Sequence, residues 1–136
     1  MMRQHSKSNP KQIKQLHRMV NKPLKDSNLF PCEARILVAC SGGPDSMVLL
    51  NVLQYVKVHR KARWTIGVTT MDHSIRRESL SELQMVASYC NKNNLPFWGV
   101  KKDIPTMAGE RKESLETVGR YERYKWFNEL AEREHY

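Results

Sequence analysis

The 136-residue sequence has no apolar run near the ~18–20 residues that cross a bilayer, which excludes a helical membrane span and makes no membrane partner the expectation. Cysteine is scarce: Cys32, Cys40 and Cys90 form no C-x-x-C pair and no metal-ligand spacing. An odd count, with Cys40 and Cys90 in apolar settings, suits buried thiols in a reducing compartment. Internal repeats and low-complexity segments are missing too. The amino end carries charge but no apolar h-region, so it does not read as a secretory signal. It is also free of acidic residues up to Asp26, which fits either an organellar transit peptide or a basic helix belonging to the domain. The second is expected, with a cytoplasmic location; a transit peptide would move the site of action to an organelle.

What is present is ordinary in amount and unusual in distribution. The length gives one domain at most, large enough for a real core. The net charge is +9, and its excess is confined to one half. Residues 1–68 hold 12 Lys/Arg against 3 Asp/Glu, whereas residues 69–136 hold 11 of each. A basic region beside a nucleotide site points to a polyanion such as nucleic acid; a solvated basic tail fits the same numbers.

Residues 35–53 organise the rest. The apolar run Ile36, Leu37, Val38, Ala39, Cys40 reads as a buried strand stopped by Ser41-Gly42-Gly43-Pro44-Asp45-Ser46. A second apolar stretch follows, broad enough for a buried helix, with Pro44 fitting its first turn. The hexapeptide therefore sits at a strand-to-helix turn, where free backbone N–H groups and the positive helix end bind anions, phosphate above all. Gly42 and Gly43 admit unusual dihedrals and close approach of a ligand.

Before this stretch, Asn9-Pro10 and the stripe Ile13, Leu16, Val20 predict a short helix, and 23–31 a connector. After it, Met47 through Val56 are apolar around most of a helix, predicting cover on more than one side. Residues 64–71 read as a second strand, ending in the polar loop Asp72-His73-Ser74-Ile75-Arg76-Arg77. Ser79-x-x-Glu82 predicts a capping box opening a helix with Leu83, Val86, Ala87 and Cys90 on one face. A short third strand over 96–100 follows, with Asp103-Ile104-Pro105 leading away, and then a helix over 114–135. Alternating strands and helices predict an α/β fold, a parallel sheet of about three strands covered by helices. Residues 1–34 form the basic amino-terminal segment with a short helix, and 35–136 the α/β domain.

The loop is neither a Walker A sequence nor G-x-G-x-x-G. Ser-Gly-Gly-x-Asp-Ser at a strand-to-helix turn resembles the PP-loop of the N-type ATP pyrophosphatases, with an adenine nucleotide alpha hydrolase-like, Rossmann-like fold. Those enzymes cleave ATP between the α- and β-phosphates and adenylate a carbonyl-type oxygen. Pro44 in the loop, Met71-Asp72-His73-Ser74-Ile75-Arg76, and Glu116-x-x-x-Arg120-x-x-Arg123-Tyr124 further resemble the tRNA(Ile)-lysidine synthetase family, from about residue 11 to 136. That family uses ATP to activate C2 of the wobble cytidine in an isoleucine tRNA with a CAU anticodon. L-lysine then displaces AMP, so that the anticodon reads AUA instead of AUG.

The resemblance implies that Ser41, Gly42, Gly43, Pro44, Asp45 and Ser46 bind the ATP phosphates, with Asp45 holding Mg²⁺. Asp72 and His73 would join them at the neighbouring strand end; taken alone, His73 is equally a satisfied loop histidine. Arg76 would contact phosphate or stay solvated. Arg120 and Arg123 would stabilise charge developing on phosphate, against the alternative of a surface ion pair with Glu116 worth ~0.3–0.5 kcal/mol. Two rival readings remain: a PP-loop tRNA thiolase, which usually has paired cysteines, and a non-catalytic nucleotide- or RNA-binding remnant.

Two departures from the family pattern stand out. Gly119 replaces a usual alanine, weakening its helix by ~1 kcal/mol. The sequence also stops at Tyr136, where the family has a fourth strand leading to His-x-x-Asp-Asp, so the PP-loop domain is expected to be incomplete, or to need a second copy as a homodimer. Residues 1–136 alone are therefore expected to form no lysidine. Mass spectrometry of nucleosides from an isoleucine tRNA incubated with the purified chain, ATP and lysine checks this.

Overall fold

The structure, a computed structural model, describes residues 11, 15, 18, 31–41, 43–75 and 77–136. Lys11, Gln15 and Arg18 are helical, while the stripe Ile13, Leu16 and Val20, most of the connector, Gly42 and Arg76 lie outside the described residues. The elements are β1 (Arg35–Ala39), α1 (Pro44–His59), β2 (Thr65–Asp72), α2 (Glu78–Lys92), β3 (Phe97–Lys101), α3 (Ile104–Arg111) and α4 (Leu115–Glu134).

The three strands form one parallel sheet in the order β1-β2-β3. Register sets what each face carries, because side chains alternate along a strand. Ile36 lies opposite Ile66, Val38 opposite Val68, and Val68 opposite Phe97. These residues build the main core with Leu50, Val52, Leu53 and Val56 of α1 and Val86 and Cys90 of α2. The alternate positions, Gly67 and Thr69, face α4. The Trp126 indole N–H donates to Thr69 Oγ1 at 2.8 Å. Tyr136, just past α4, lies so close to Gly67 that a Cβ there would meet its hydroxyl oxygen at 2.5 Å. The same ring stands edge-on to Trp98, and the Arg35 guanidinium sits 4.7 Å from its centroid. Arg35 also donates to the carbonyls of His135 and Glu134, at 2.8 and 3.1 Å. Helices thus cover both faces of the sheet.

Three local expectations are corrected. α1 buries one broad face rather than several: Leu49, Tyr55 and Val58 remain open, Val58 at 77% exposure. Ser79-x-x-Glu82 is not a capping box, because α2 begins two residues earlier, at Glu78, with Arg77 as N-cap and no side-chain cap bond. Its two polar side chains are turned to another use, described below. Finally, Asp103-Ile104-Pro105 opens a helix instead of leading away. Asp103 accepts from the Thr106 N–H at 3.3 Å and from the Thr106 hydroxyl at 2.8 Å, and Pro105 occupies the first turn, where it loses no bond.

α3 packs Ile104 and Ala108 against Val118 of α4, a small second core. α3 ends at Lys112 in the left-handed region (φ 54°), and α4 starts at Ser114, whose Oγ accepts from the Thr117 N–H at 3.1 Å. The two helices are clamped by Glu122, a buried carboxylate held at 2.8 Å by Arg111. This hydrogen bond raises the Arg111 guanidinium above its ordinary value. A buried carboxylate persists only with such a partner.

Two predictions follow from the packing. Gly119 is helical and buried, and a Cβ there would meet only His73 Cδ2 at 3.5 Å and Ile104 Cγ2 at 3.8 Å, ordinary contacts. Gly119→Ala should therefore stabilise the chain by ~0.5–1 kcal/mol in urea unfolding. Cys32 is exposed while Cys40 and Cys90 are buried, so a thiol reagent at neutral pH should label one of the three in the native chain. Burial, then the neighbouring Cys40, pushes the Cys90 thiol up to about 11. The native state thus holds its proton longer than the unfolded chain, and stability should fall as pH rises from about 9 toward 11 in thermal melts.

Candidate functional site

The strand-to-helix turn is pinned at Cys40, the residue that leads into it. The Cys40 N–H donates to Thr69 O at 2.9 Å, and the buried Thr70 hydroxyl donates to Cys40 O at 2.7 Å. Below the turn, Cys40 Sγ meets Met47 Sδ at 3.5 Å. The two serines then close the turn on itself. The Ser41 N–H donates to Ser46 Oγ at 3.3 Å, the two hydroxyl oxygens are 2.9 Å apart, and the Gly43 N–H donates to Ser41 Oγ at 3.3 Å. Gly43 is the N-cap of α1, with extended backbone (φ −73°, ψ 165°), and no side chain caps the helix. A Cβ on Gly43 would crowd Ser41 Oγ at 3.3 Å. The first-turn N–H groups and the positive helix end are thereby left for an anion. Asp45, in the same turn, is exposed and has no hydrogen-bond or ion-pair partner among the described residues.

The second part is the carboxyl end of β2. Asp72 is buried, and its Oδ1 accepts from the Ser74 N–H at 2.9 Å, an Asx turn that carries Ser74 at φ 57°. The Ser74 Oγ is buried without a hydrogen-bond partner among the described residues. His73 O accepts from the Ile104 N–H at 3.4 Å, and the His73 ring rests against Gly119 of α4.

Between these parts lies a cleft of about 340 Å³, within the usual range for small-molecule sites. Cys40 and Ser41 line one side, His73 another, and Arg123 and Phe127 of α4 the far wall. Ser79 and Glu82 of α2 complete it. Of the residues singled out by sequence, Ser41, His73 and Arg123 converge here, with Ser46 joined through the Ser41 hydroxyl. Gly43, Pro44 and Asp45 belong to the same turn, whereas Asp72 spends its carboxylate on Ser74. Arg120 stays on the exposed face of α4 and makes no ion pair with Glu116 among the described residues. Its guanidinium lies instead 5.8 Å from the Tyr124 ring centroid, as does that of Arg123.

Sequence reasoning missed Thr70, Phe127, Ser79 and Glu82 as site residues. Thr70 reads as one more β-branched strand residue, and Phe127 as one more apolar helix position. Ser79 and Glu82 carry the one usable signal, a polar pair i, i+3 on a helix that starts without needing them.

Comparison with known proteins bears on the family and the fold. The family described as PP-loop domain matches residues 2–136. A tRNA(Ile)-lysidine synthase of Thermosipho africanus is 40% identical over 110 residues, covering 81% of this chain and 25% of that protein. One from Clostridium acetobutylicum is 38% identical, covering 81% and 24%, and one from Petrotoga mobilis 31% identical, covering 89% and 38%. The chain thus spans about a quarter to two fifths of the length of these relatives. Among solved structures, the U34-tRNA thiolase NcsA of Methanococcus maripaludis aligns with a TM-score of 0.70 at 17% identity, over 90% of this chain and 42% of that one. A fold of this kind, a PP-loop turn built as described, and a family match over nearly every residue lead to one assignment: the chain belongs to the PP-loop domain family.

Proposed function

We propose that this chain is the nucleotide-binding part of a tRNA(Ile)-lysidine synthase, an ATP-dependent ligase that joins L-lysine to C2 of the wobble cytidine in a tRNA with a CAU anticodon. The observation that carries the reading is the convergence of a hydroxyl-braced phosphate turn with Arg123 and His73 on one cleft, at the carboxyl ends of adjacent parallel strands. Such strand ends are where open α/β sheets take their ligands.

ATP supplies an α-phosphorus to the base oxygen O2; pyrophosphate leaves, and the lysine amine then displaces AMP from C2. The chain's own residues have definable parts in this. The uncapped start of α1 and the Ser41 and Ser46 hydroxyls hold the leaving pyrophosphate. Arg123, which lines the cleft, would set a guanidinium against the negative charge that builds at phosphorus. His73 supplies a ring donor to the same space. Asp45 suits Mg²⁺: it is a hard oxygen donor, unpaired among the described residues, beside two hydroxyls, and Mg²⁺ needs only one or two carboxylates when phosphate and water complete its shell. The charge of +9 favours a polyanionic substrate. No helix among the described residues is long and apolar enough to cross a membrane.

A thiolase reading shares the fold, but Cys40 and Cys90 are buried and Cys32 lies in the turn before β1. The test is made on the full-length protein with ATP, lysine and the CAU tRNA. Lysidine should appear with stoichiometric pyrophosphate, and Asp45→Ala should cut pyrophosphate release by about a hundredfold or more in a chain that stays folded, since the side chain makes no hydrogen bond or ion pair among the described residues. Release that survives in Asp45→Ala removes the magnesium role, and a tRNA that gains sulfur instead of lysine overturns the ligase.

A further inference from the structure

One aromatic ring bordering the cleft serves neither the core nor any polar network. Tyr124 of α4 is 53% exposed, and its hydroxyl has no hydrogen-bond partner among the described residues. It is nevertheless held in place. Phe127, which lines the cleft, meets it edge-on with centroids 6.3 Å apart, and the Arg120 and Arg123 guanidiniums each lie 5.8 Å from its centroid. Although two cations approach, more than half of the residue stays open to solvent. One turn earlier, the pattern repeats with Tyr121, exposed at 59%, and Arg111.

Aromatic rings interleaved with arginines on an open helix face match single-stranded nucleic acid: the rings stack bases and the guanidiniums reach the flanking phosphates. The position adds a further constraint. A base adenylated at the cleft must bring its oxygen to the α-phosphorus, so it has to be held at the mouth, next to Arg123 and Phe127. Tyr124 is the open ring in contact with that wall.

We propose that Tyr124 is the stacking platform for the target pyrimidine of an RNA loop, with Arg120 as its phosphate clamp. This rests on the ligase reading above and adds to it the surface that receives the base.

The experiment uses the full-length protein and an RNA hairpin whose loop carries CAU with a fluorescent pyrrolo-cytidine at the wobble position. At saturating protein, stacking on Tyr124 should quench the probe. Tyr124→Leu should lose the quench and weaken hairpin binding by about tenfold, while Tyr124→Trp restores both. Arg120→Gln should lower the slope of log affinity against log salt by about one. ATP affinity should be the same in every variant. Full quenching by Tyr124→Leu overturns the proposal and leaves the ligase reading intact. A fall in ATP affinity in that variant overturns it too, by assigning the ring to adenine. A wild-type protein that does not bind the hairpin at all overturns both.

Discussion

Both backbone polar groups of Cys40 are taken by consecutive residues of β2: its N–H by the Thr69 carbonyl, its carbonyl by the Thr70 hydroxyl. This double tether fixes the point at which β1 stops being a strand. The direction of the Ser41 turn, the start of α1 and the position of the cleft relative to β2 all follow from it. Leaving such a buried acceptor unpaired costs ~1–3 kcal/mol. The turn therefore cannot drift without a cost comparable to a sizeable part of the stability of a small domain. That rigidity matters because donors held in place need no reorganisation when an anion arrives.

The opposite wall is held by different means. α4 meets the sheet through the Trp126–Thr69 hydrogen bond, meets α3 through the buried Glu122–Arg111 pair, and meets the β2 loop through the Gly119–His73 contact. Thr69 belongs to both systems: its carbonyl accepts from Cys40 and its hydroxyl from Trp126, while that hydroxyl also donates to Trp98 O at 2.7 Å. One threonine thus couples the phosphate turn to the arginine-bearing helix. The spacing between the Ser41–Ser46 turn and the Arg123-bearing helix is therefore set by the sheet rather than by a flexible loop.

Much of this was legible in the residues. The β1 run and the Ser41–Ser46 hexapeptide announce themselves through strong local chemistry, an apolar run and a glycine pair, and the span of α4 from Ser114 to His135 was legible as well. The eight-residue α3 did not, because Ile104 and Ala108 are too few to show a period and Pro105 looks like a breaker until Asp103 is seen to cap it. Ser79 and Glu82 misled for the converse reason: a local pattern that satisfies a helix start on paper was claimed by the cleft. The Thr70 tether, the Glu122 clamp and the Trp126 bond join residues 11 to 57 positions apart, and no local pattern encodes such pairs.

The floor of the phosphate turn is made of two sulfur atoms, Cys40 Sγ and Met47 Sδ. Thioether and thiol pack softly and adapt to the turn above them, but the thioether is also the group most easily converted to a polar one. A sulfoxide at Met47 would set a polar oxygen against the buried thiol, at the base of the Ser41–Ser46 turn and against the same core cluster that holds Leu50 and Val68. Oxidation there would therefore disturb the turn and the core together. A chemical repair cycle, sulfoxide back to thioether, would restore function without any new synthesis.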